Sequence, residues 1–232
     1  MSTLALSPSS RPDWDRRSSE LWAQSCAHKD TYFERIGNFG VYLHPSVLSP
    51  KYFPETVWFG ENLPSIIQGK SVLEVGLGSG LVSLHLAASG SVVAGVDINP
   101  KAVEISKMNF ESNNQVGEIV LSNLFENVTK KYDFIFWNHP WAWDASMQAD
   151  DEKLEMFLDE GYVALNRFIA EAKSYLNEGG SVLLGTVPYA NLSAIEEIST
   201  AHGYTQEIVR EGLGDMGNGV TEQYYIIQIR PN

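Results

Sequence analysis

The 232-residue sequence contains a single cysteine, Cys26, so it can form neither a disulfide within the chain nor a zinc site built from several thiolates. It also lacks any run of about 18 apolar residues, the length that a membrane-spanning helix requires. No apolar stretch near the N-terminus is long enough for the core of a signal peptide. These absences favour a protein of the reducing cytoplasm without a membrane anchor.

Positive charge is scarce, because 16 Lys and Arg residues face 29 Asp and Glu residues and give a formal net charge of -13. Such a balance argues against a groove for extended nucleic-acid binding, since the phosphates would be repelled. A local basic patch, or a nucleic acid presented by a partner, stays compatible with it. We therefore expect a small-molecule, peptide or protein substrate, and the sequence makes no prediction of the oligomeric state.

Short apolar runs alternate with helical patterns from Ser71 onward, which is typical of a parallel sheet covered on both faces. The pattern predicts an α/β fold with a Rossmann-like, doubly wound sheet of seven strands, mostly parallel and ending in an antiparallel C-terminal hairpin. The predicted strands cover residues 71–75, 92–96, 118–121, 132–137, 181–185, 204–209 and 223–229. The predicted helices cover residues 55–67, a stretch from 81, 102–113, 154–176 and 192–201.

Two segments flank this pattern. Residues 1–40 are predicted to be a partly helical N-terminal extension, followed by a loop-rich stretch up to residue 54 and a single domain over residues 41–232. The extension is a candidate lid over a small acceptor, or it packs on the sheet in the ordinary way. Gly179 and Gly180 are predicted to end the long helix. Residues 212–219 are predicted to be a flexible hairpin connection, with a reach over the site as the alternative.

A glycine-rich segment, Glu74-Val75-Gly76-Leu77-Gly78-Ser79-Gly80, stands where the first predicted strand turns into a helix. Glycines at such a turn let the backbone approach a bound nucleoside. The dinucleotide pattern G-x-G-x-x-G fails because its last position is Leu81, and no G-K-[ST] follows for a phosphate loop. Asp97 ends the second strand, where a carboxylate can accept both ribose hydroxyls. The alternatives are a tight turn without a ligand and, for Asp97, a helix cap before Pro100.

The tetrapeptide Asn138-His139-Pro140-Trp141 follows the fourth predicted strand directly. Ligands of doubly wound sheets bind at the carboxyl ends of the strands, so this segment is expected to face the ligand of the glycine-rich segment. His139 is either a contact to the acceptor that takes up its proton or a packed imidazole. Trp141 is either a platform for a flat acceptor or an ordinary core aromatic.

Together these segments resemble class I S-adenosylmethionine-dependent methyltransferases, and in particular the HemK-type enzymes that methylate protein glutamine. In that family the tetrapeptide reads [N/D]-P-P-[Y/F/W], so His139 departs from it. Pro54-Glu55-Thr56, Ser122-Asn123-Leu124-Phe125 and Asp159-Glu160-Gly161 resemble further segments of the family. The resemblance implies S-adenosylmethionine as the cofactor and no metal. It implies that the cofactor is held by Thr56, Glu74, Gly76, Gly78, Gly80, Asp97, Ile98, Asn123, Leu124 and Asn138.

The resemblance further implies that Asn138, His139, Pro140 and Trp141 position a nitrogen of a small metabolite or a protein side chain for methylation. Two other functions stay open: an O- or C-methyltransferase of secondary metabolism that uses His139 as its base, and a non-catalytic methyltransferase-like subunit that stabilises a partner. Acidic stretches at residues 150–152 and 159–160 follow the tetrapeptide. They favour a neutral or cationic acceptor.

Overall fold

The computed structural model describes residues 9–144 and 157–232. Its helices are α1 (Arg11–Cys26), α2 (Glu55–Ile67), α3 (Leu81–Ala88), α4 (Pro100–Ser112), α5 (Val163–Ala172) and α6 (Leu192–Ala201). Its strands are β1 (Tyr32–Ile36), β2 (Phe39–Leu43), β3 (Ser71–Val75), β4 (Val92–Asp97), β5 (Glu118–Leu121), β6 (Tyr132–Asn138), β7 (Leu176–Thr186), β8 (Tyr204–Gly217) and β9 (Val220–Pro231). None of the helices within these described ranges could cross a membrane.

The main sheet has seven strands in the order β5-β4-β3-β6-β7-β9-β8. Strands β3 to β7 run parallel, and β9 is antiparallel to both of its neighbours. The chain reverses its winding between β3 and β6, which is where the sheets of this class open a crevice for ligands. The predicted doubly wound, mostly parallel sheet with an antiparallel C-terminal hairpin is therefore confirmed.

The carboxyl ends of β3, β4, β5 and β6 meet at one edge of the sheet, because these strands are parallel and in close register. Val75 pairs with both Val96 and Trp137, so the glycine-rich segment, Asp97 and Asn138 all leave the sheet at the same level. Strands β3, β4 and β6 are buried on both faces, largely by Val, Ile, Leu and Phe side chains, whereas β5 is the more exposed edge strand. This edge carries the candidate site.

The helix predicted over residues 154–176 is present but shorter, and its predicted glycine end is wrong. Helix α5 covers only Val163–Ala172, and residues 154–156 of the prediction lie outside the described residues. Gly179 and Gly180 lie within β7, at an irregularity where the pairing with β6 jumps from Leu176 to Ser181. A Cβ on Gly180 would come within 2.9 Å of the carbonyl oxygen of Asp133, so glycine permits this close approach of two backbones.

The loop-rich stretch predicted before residue 54 contains a hairpin instead. Strands β1 and β2 pair from Tyr32 with Leu43 to Ile36 with Phe39, so the hairpin crosses the predicted domain boundary at residue 40. Asn109 of α4 fastens it to the domain, since its amide nitrogen donates to the carbonyl of Tyr42 (2.9 Å) and its amide oxygen accepts from the Tyr42 amide (2.6 Å).

The predicted flexible connection at residues 212–219 is also wrong, because β8 and β9 stay paired up to Gly217 and Val220. Gly212 and Gly214 make room for the rings of Trp58 and Tyr224, whereas Gly217 and Gly219 adopt positive φ angles at the turn. A Cβ on Gly214 would lie 2.3 Å from the Tyr224 ring. The β8–β9 hairpin extends beyond the carboxyl end of β7, because Thr186, the last residue of β7, pairs with Tyr225 and the hairpin continues to Gly217 and Val220.

Candidate functional site

A cavity of about 600 Å³ opens at the carboxyl edge of the sheet. It brings together both predicted groups of site residues, the glycine-rich segment and the tetrapeptide. The predicted residues that line it are Thr56, Glu74, Gly76, Gly78, Asp97, Ile98, Asn123, Leu124, Asn138, His139, Pro140 and Trp141. Gly80 is not among the lining residues and is the N-cap residue of α3.

The glycine-rich segment adopts a conformation that side chains disfavour. Gly76, Gly78 and Gly80 have φ angles of +64°, +56° and +76°, in the left-handed region that glycine enters without strain. A Cβ on Gly80 would lie 2.9 Å from the hydroxyl of Ser106, which donates to the Gly78 carbonyl at 2.9 Å. The backbone of the segment therefore lines the cavity without side chains in the way.

Asp97 ends β4 with both carboxylate oxygens held in place. One oxygen accepts from the amide of Gly78 (2.9 Å) and the other from the amide of Asn99 (2.8 Å). Burial raises the pKa of Asp97, while these backbone donors oppose the shift. A carboxylate has about four lone-pair sites, so Asp97 keeps acceptor capacity for the two hydroxyls of a ribose. The alternative predicted for Asp97 was a helix cap. The cap of α4 is instead Asn99, whose side chain accepts from the amide of Lys101.

Glu74 lies deeper in the cavity wall and is 4% exposed. Its carboxyl group accepts a hydrogen bond from the Ser83 hydroxyl of α3. Burial raises the pKa of Glu74 to about 8, with a smaller contribution from the charge of Asp97. A buried acid of this kind has a use for a cationic ligand group, whose charge would restore its ionised form.

Asn123 follows β5 and lines the cavity. Its amide nitrogen donates to Glu126 at 3.0 Å, which leaves the amide oxygen as the group available to a ligand amine. The loop that carries it is shaped by Ser122, whose hydroxyl donates to the Leu124 carbonyl (2.9 Å) and accepts from the Asn127 amide (3.0 Å). The donors and acceptors around the cavity thus fit the ammonium, ribose and adenine groups of S-adenosylmethionine.

Asn138 and Trp141 form the floor of the opposite end of the cavity. The indole Nε1 of Trp141 lies 3.1 Å from Oδ1 of Asn138 and 3.3 Å from the carbonyl oxygen of Gly185. Trp141 is 8% exposed and belongs both to the core and to the cavity lining, while its role as a platform for a flat acceptor stays a prediction. Trp143 is 37% exposed.

His139 faces the cavity but is 2% exposed. Its Nε2 lies 3.3 Å from the hydroxyl oxygen of Thr186. Burial lowers the pKa of His139 to about 3, so the ring is neutral near pH 7 and is a weak base. This environment matches the packed imidazole and counts against His139 as a base.

Several lining residues escaped the sequence analysis, above all Glu55 and Trp137. Glu55 is part of the quoted Pro54-Glu55-Thr56 segment, so the motif was visible while its role was not. Trp137 lies beneath Gly76, where a Cβ would come within 3.1 Å of the indole nitrogen. Asp159 also lines the cavity, yet its two carboxylate oxygens accept from the amides of Ala164 and Leu165 and so serve the start of α5.

Helix α1 and the β8–β9 hairpin meet beside this cavity. Leu21, Tyr52, Phe53, Met216 and Val220 form a small second core there. Trp22 of α1 contacts Phe157, a residue of the cavity wall, with ring centroids 5.9 Å apart. The N-terminal extension therefore reaches the cavity wall, and its role as a lid stays a prediction.

The chain matches the methyltransferase small domain family over residues 41–212. It is 38% identical over 148 residues to a protein of Methanocaldococcus jannaschii described as a putative protein N5-glutamine methyltransferase, an alignment that covers 60% of this chain and 72% of that protein. It is 29% identical over 208 residues to the release factor glutamine methyltransferase of Streptococcus pneumoniae, over 79% of this chain and 70% of that protein.

A solved structure shares the fold. The T. thermophilus 16S rRNA N2 G1207 methyltransferase, solved in complex with AdoMet and guanosine, superposes with a TM-score of 0.61 at 21% identity. The superposition covers 87% of this chain and 50% of that one. At this level of identity the likeness concerns the arrangement of strands and helices alone.

Proposed function

The chain belongs to the methyltransferase small domain family and is an S-adenosylmethionine-dependent N-methyltransferase; from this premise we propose that its acceptor is a protein side chain, with the glutamine amide as the acceptor to test first. The observation that carries the proposal is Oδ1 of Asn138, held at the end of β6 in the same cavity as Asp97 and the glycine-rich segment. The names of the two relatives support glutamine.

The cofactor-binding half of the proposal assigns a donor or acceptor to each part of S-adenosylmethionine. Asp97 accepts from the ribose hydroxyls, and Asn123 accepts from the adenine amine through its amide oxygen. Glu74 faces the ammonium group, and the backbone of Gly76 and Gly78 allows close approach. Thr56, Ile98, Leu124 and Asn138 complete the wall.

For the acceptor, we propose that the tetrapeptide Asn138-His139-Pro140-Trp141 orients the nitrogen that is methylated. The bound cofactor supplies an electrophilic methyl group on a positively charged sulfur. Oδ1 of Asn138 accepts a hydrogen bond from the acceptor NH2, and the carbonyl of His139 accepts a second one. With both N–H groups held in this way, the lone pair of the nitrogen is aligned for an in-line displacement, and alignment supplies much of the rate. Trp141 packs against the flat face of the amide.

The alternative with His139 as the base of an O- or C-methyltransferase is disfavoured, because the buried imidazole has a pKa of about 3.

One experiment tests a protein side chain and a small metabolite as the nitrogen acceptor side by side. The protein is incubated with S-adenosylmethionine labelled in the methyl group and with glutamine peptides, matched asparagine peptides or a metabolite pool. Mass spectrometry then locates the label. Methylated glutamine supports the proposal, and label confined to oxygen, carbon or a metabolite contradicts it.

A further inference from the structure

A pair of buried carboxyl groups has one member, Glu55, in the wall of the cavity. Glu55, at the start of α2, is 3% exposed and lines the cavity, and Glu222 of β9 is 5% exposed. They are close enough for the negative charge of Glu222 to act on the pKa of Glu55. Neither residue was assigned a role by the motifs in the sequence.

Two tyrosines tie this pair to the acceptor motif. The hydroxyls of Tyr189 and Tyr224 donate to the carboxylate of Glu222 at 2.6 and 2.8 Å. The same two rings lie 6.2 and 6.1 Å from the ring of Trp141. The pair is therefore connected to Trp141 through the rings of these two tyrosines.

Methylation of an N–H nitrogen leaves a proton to be placed. The nitrogen forms its bond to the methyl carbon as the bond from that carbon to sulfur breaks, and the electron pair of that bond goes to the sulfur. The nitrogen then carries a positive charge, which it loses with one of its protons after that N–H group leaves Asn138 or the His139 carbonyl. Oδ1 of Asn138 and the carbonyl of His139 accept hydrogen bonds, but neutral amide oxygens do not hold a proton near neutral pH.

Among the described residues of the cavity wall, the other groups that can take a proton are already used. The carboxylates of Asp97 and Asp159 each accept from two backbone amides. Glu74 accepts from the Ser83 hydroxyl and lies in β3, on the cofactor side. His139 is too weak a base, with a pKa of about 3.

We propose that the carboxylate of Glu55 takes the proton that the acceptor nitrogen loses on methylation, with Glu222 as the positioning residue that keeps Glu55 basic. This inference rests on the proposed function, since it concerns the acceptor nitrogen of the same site. Burial and the charge of Glu222 raise the pKa of Glu55 to about 8, which makes it a far stronger base than an ordinary carboxylate. The Tyr189 and Tyr224 hydroxyls stabilise the ionised form of Glu222.

The groups shown to interact electrostatically with Glu55 both come from strand β9, which contributes Glu222 and Tyr224. Tyr189, in the segment after β7, reaches Glu55 only through its hydrogen bond to Glu222. The pKa of Tyr224 is raised well above its ordinary value by burial and by the two carboxylates, so its hydroxyl stays protonated. The negative charge that acts on the pKa of Glu55 is thus that of Glu222.

A test that needs no acceptor uses sinefungin, which carries a primary amine in place of the methylated sulfur of the cofactor. The reference is S-adenosylhomocysteine, which lacks that amine. Calorimetry at pH 8 measures the ratio of the two dissociation constants. The unaltered protein is expected to prefer sinefungin, because a carboxylate that faces the acceptor nitrogen also faces this amine. Glu55→Gln is expected to reduce the preference about tenfold, while Glu61→Gln, exposed on the same helix, leaves it unchanged.

A second arm uses the unaltered protein alone and so does not depend on the folding of a variant. The preference for sinefungin is expected to grow between about pH 6.5 and 8.5 as Glu55 ionises. A flat ratio over this range, or a Glu55→Gln protein with the full preference, would overturn the role of Glu55 and leave the proposed function intact. Binding of neither compound would overturn both. Glu55→Asp, which keeps the carboxylate, is expected to retain part of the preference.

Discussion

The indole Nε1 of Trp141 donates to Oδ1 of Asn138 across 3.1 Å, within one tetrapeptide at the end of β6. An indole N–H is a donor only, so its position determines which end of the Asn138 amide faces it. The oxygen can accept a second hydrogen bond through its other lone pair. Trp141 thereby orients the group that we propose to bind the acceptor nitrogen, which a phenylalanine at this position would not do.

Trp141→Phe is expected to lower kcat about tenfold while leaving the affinity for S-adenosylhomocysteine unchanged, because it removes one hydrogen-bond donor and keeps an aromatic ring. Steady-state kinetics and calorimetry check the two halves of this expectation. Trp143→Phe is the matched control, since Trp143 is 37% exposed and does not line the cavity. A Trp141→Phe enzyme with full kcat would show that Asn138 is oriented by other contacts.

Asp97→Asn is expected to weaken S-adenosylhomocysteine binding by about tenfold or more, since a neutral amide replaces a charged acceptor of two ribose hydroxyls. Calorimetry measures the loss, and thermal unfolding separates it from a loss of stability, because Asp97 also accepts from Gly78 and Asn99. Asp30→Asn makes the same chemical change at an exposed position. Equal affinities for the two variants would contradict the role of Asp97.

The cofactor side of the site was predictable because its residues sit in short, contiguous motifs at strand ends. Gly76, Gly78 and Asp97 follow β3 and β4, and parallel register alone brings such ends together. Asn138 ends β6 and reaches the same edge for the same reason. The prediction of these positions needed no knowledge of side-chain packing.

The acid pair was not predictable in this way. Glu55 and Glu222 lie on α2 and β9, and they meet through tertiary packing rather than through local spacing. The extent of β7 was missed for a related reason: the pair Gly179 and Gly180 is typical of a helix end, whereas here the two glycines permit a close backbone approach inside a strand. The β1–β2 hairpin was missed because Gly37 and Gly40 interrupt a short apolar pattern.

Asn138→Ala is expected to lower kcat about 100-fold, and His139→Ala by much less, since Asn138 orients the acceptor whereas His139 is a buried neutral ring. The pH–rate profile of His139→Ala between pH 6 and 8 is expected to keep the shape of the unaltered enzyme. The imidazole, with a pKa of about 3, does not titrate in that range. The reverse order of the two losses would favour the alternative in which His139 is the base.

The stability of the ligand-free protein is expected to fall as the pH rises from about 6.5 to 8.5. The pKa values of Glu55 and Glu74 are raised to about 8 in the folded protein from an ordinary value of 4.5. The folded state therefore binds more protons than the unfolded state between these values, and the stability that this provides is lost as the pH passes through 8. The lowered pKa of His139 acts in the opposite direction, but only below pH 6.5.

Thermal unfolding followed across this window separates the two carboxyl groups. Glu55→Gln is expected to reduce the downward slope of Tm between pH 6.5 and 8.5, because a neutral amide pays no cost of ionisation in the buried site. Glu61→Gln, on the same helix but exposed, is expected to keep the full slope. Sinefungin is expected to reduce the slope of the unaltered protein as well, since its amine stabilises the ionised form of Glu55. A Glu55→Gln protein with an unchanged slope would mean that Glu55 is already ionised at pH 6.5.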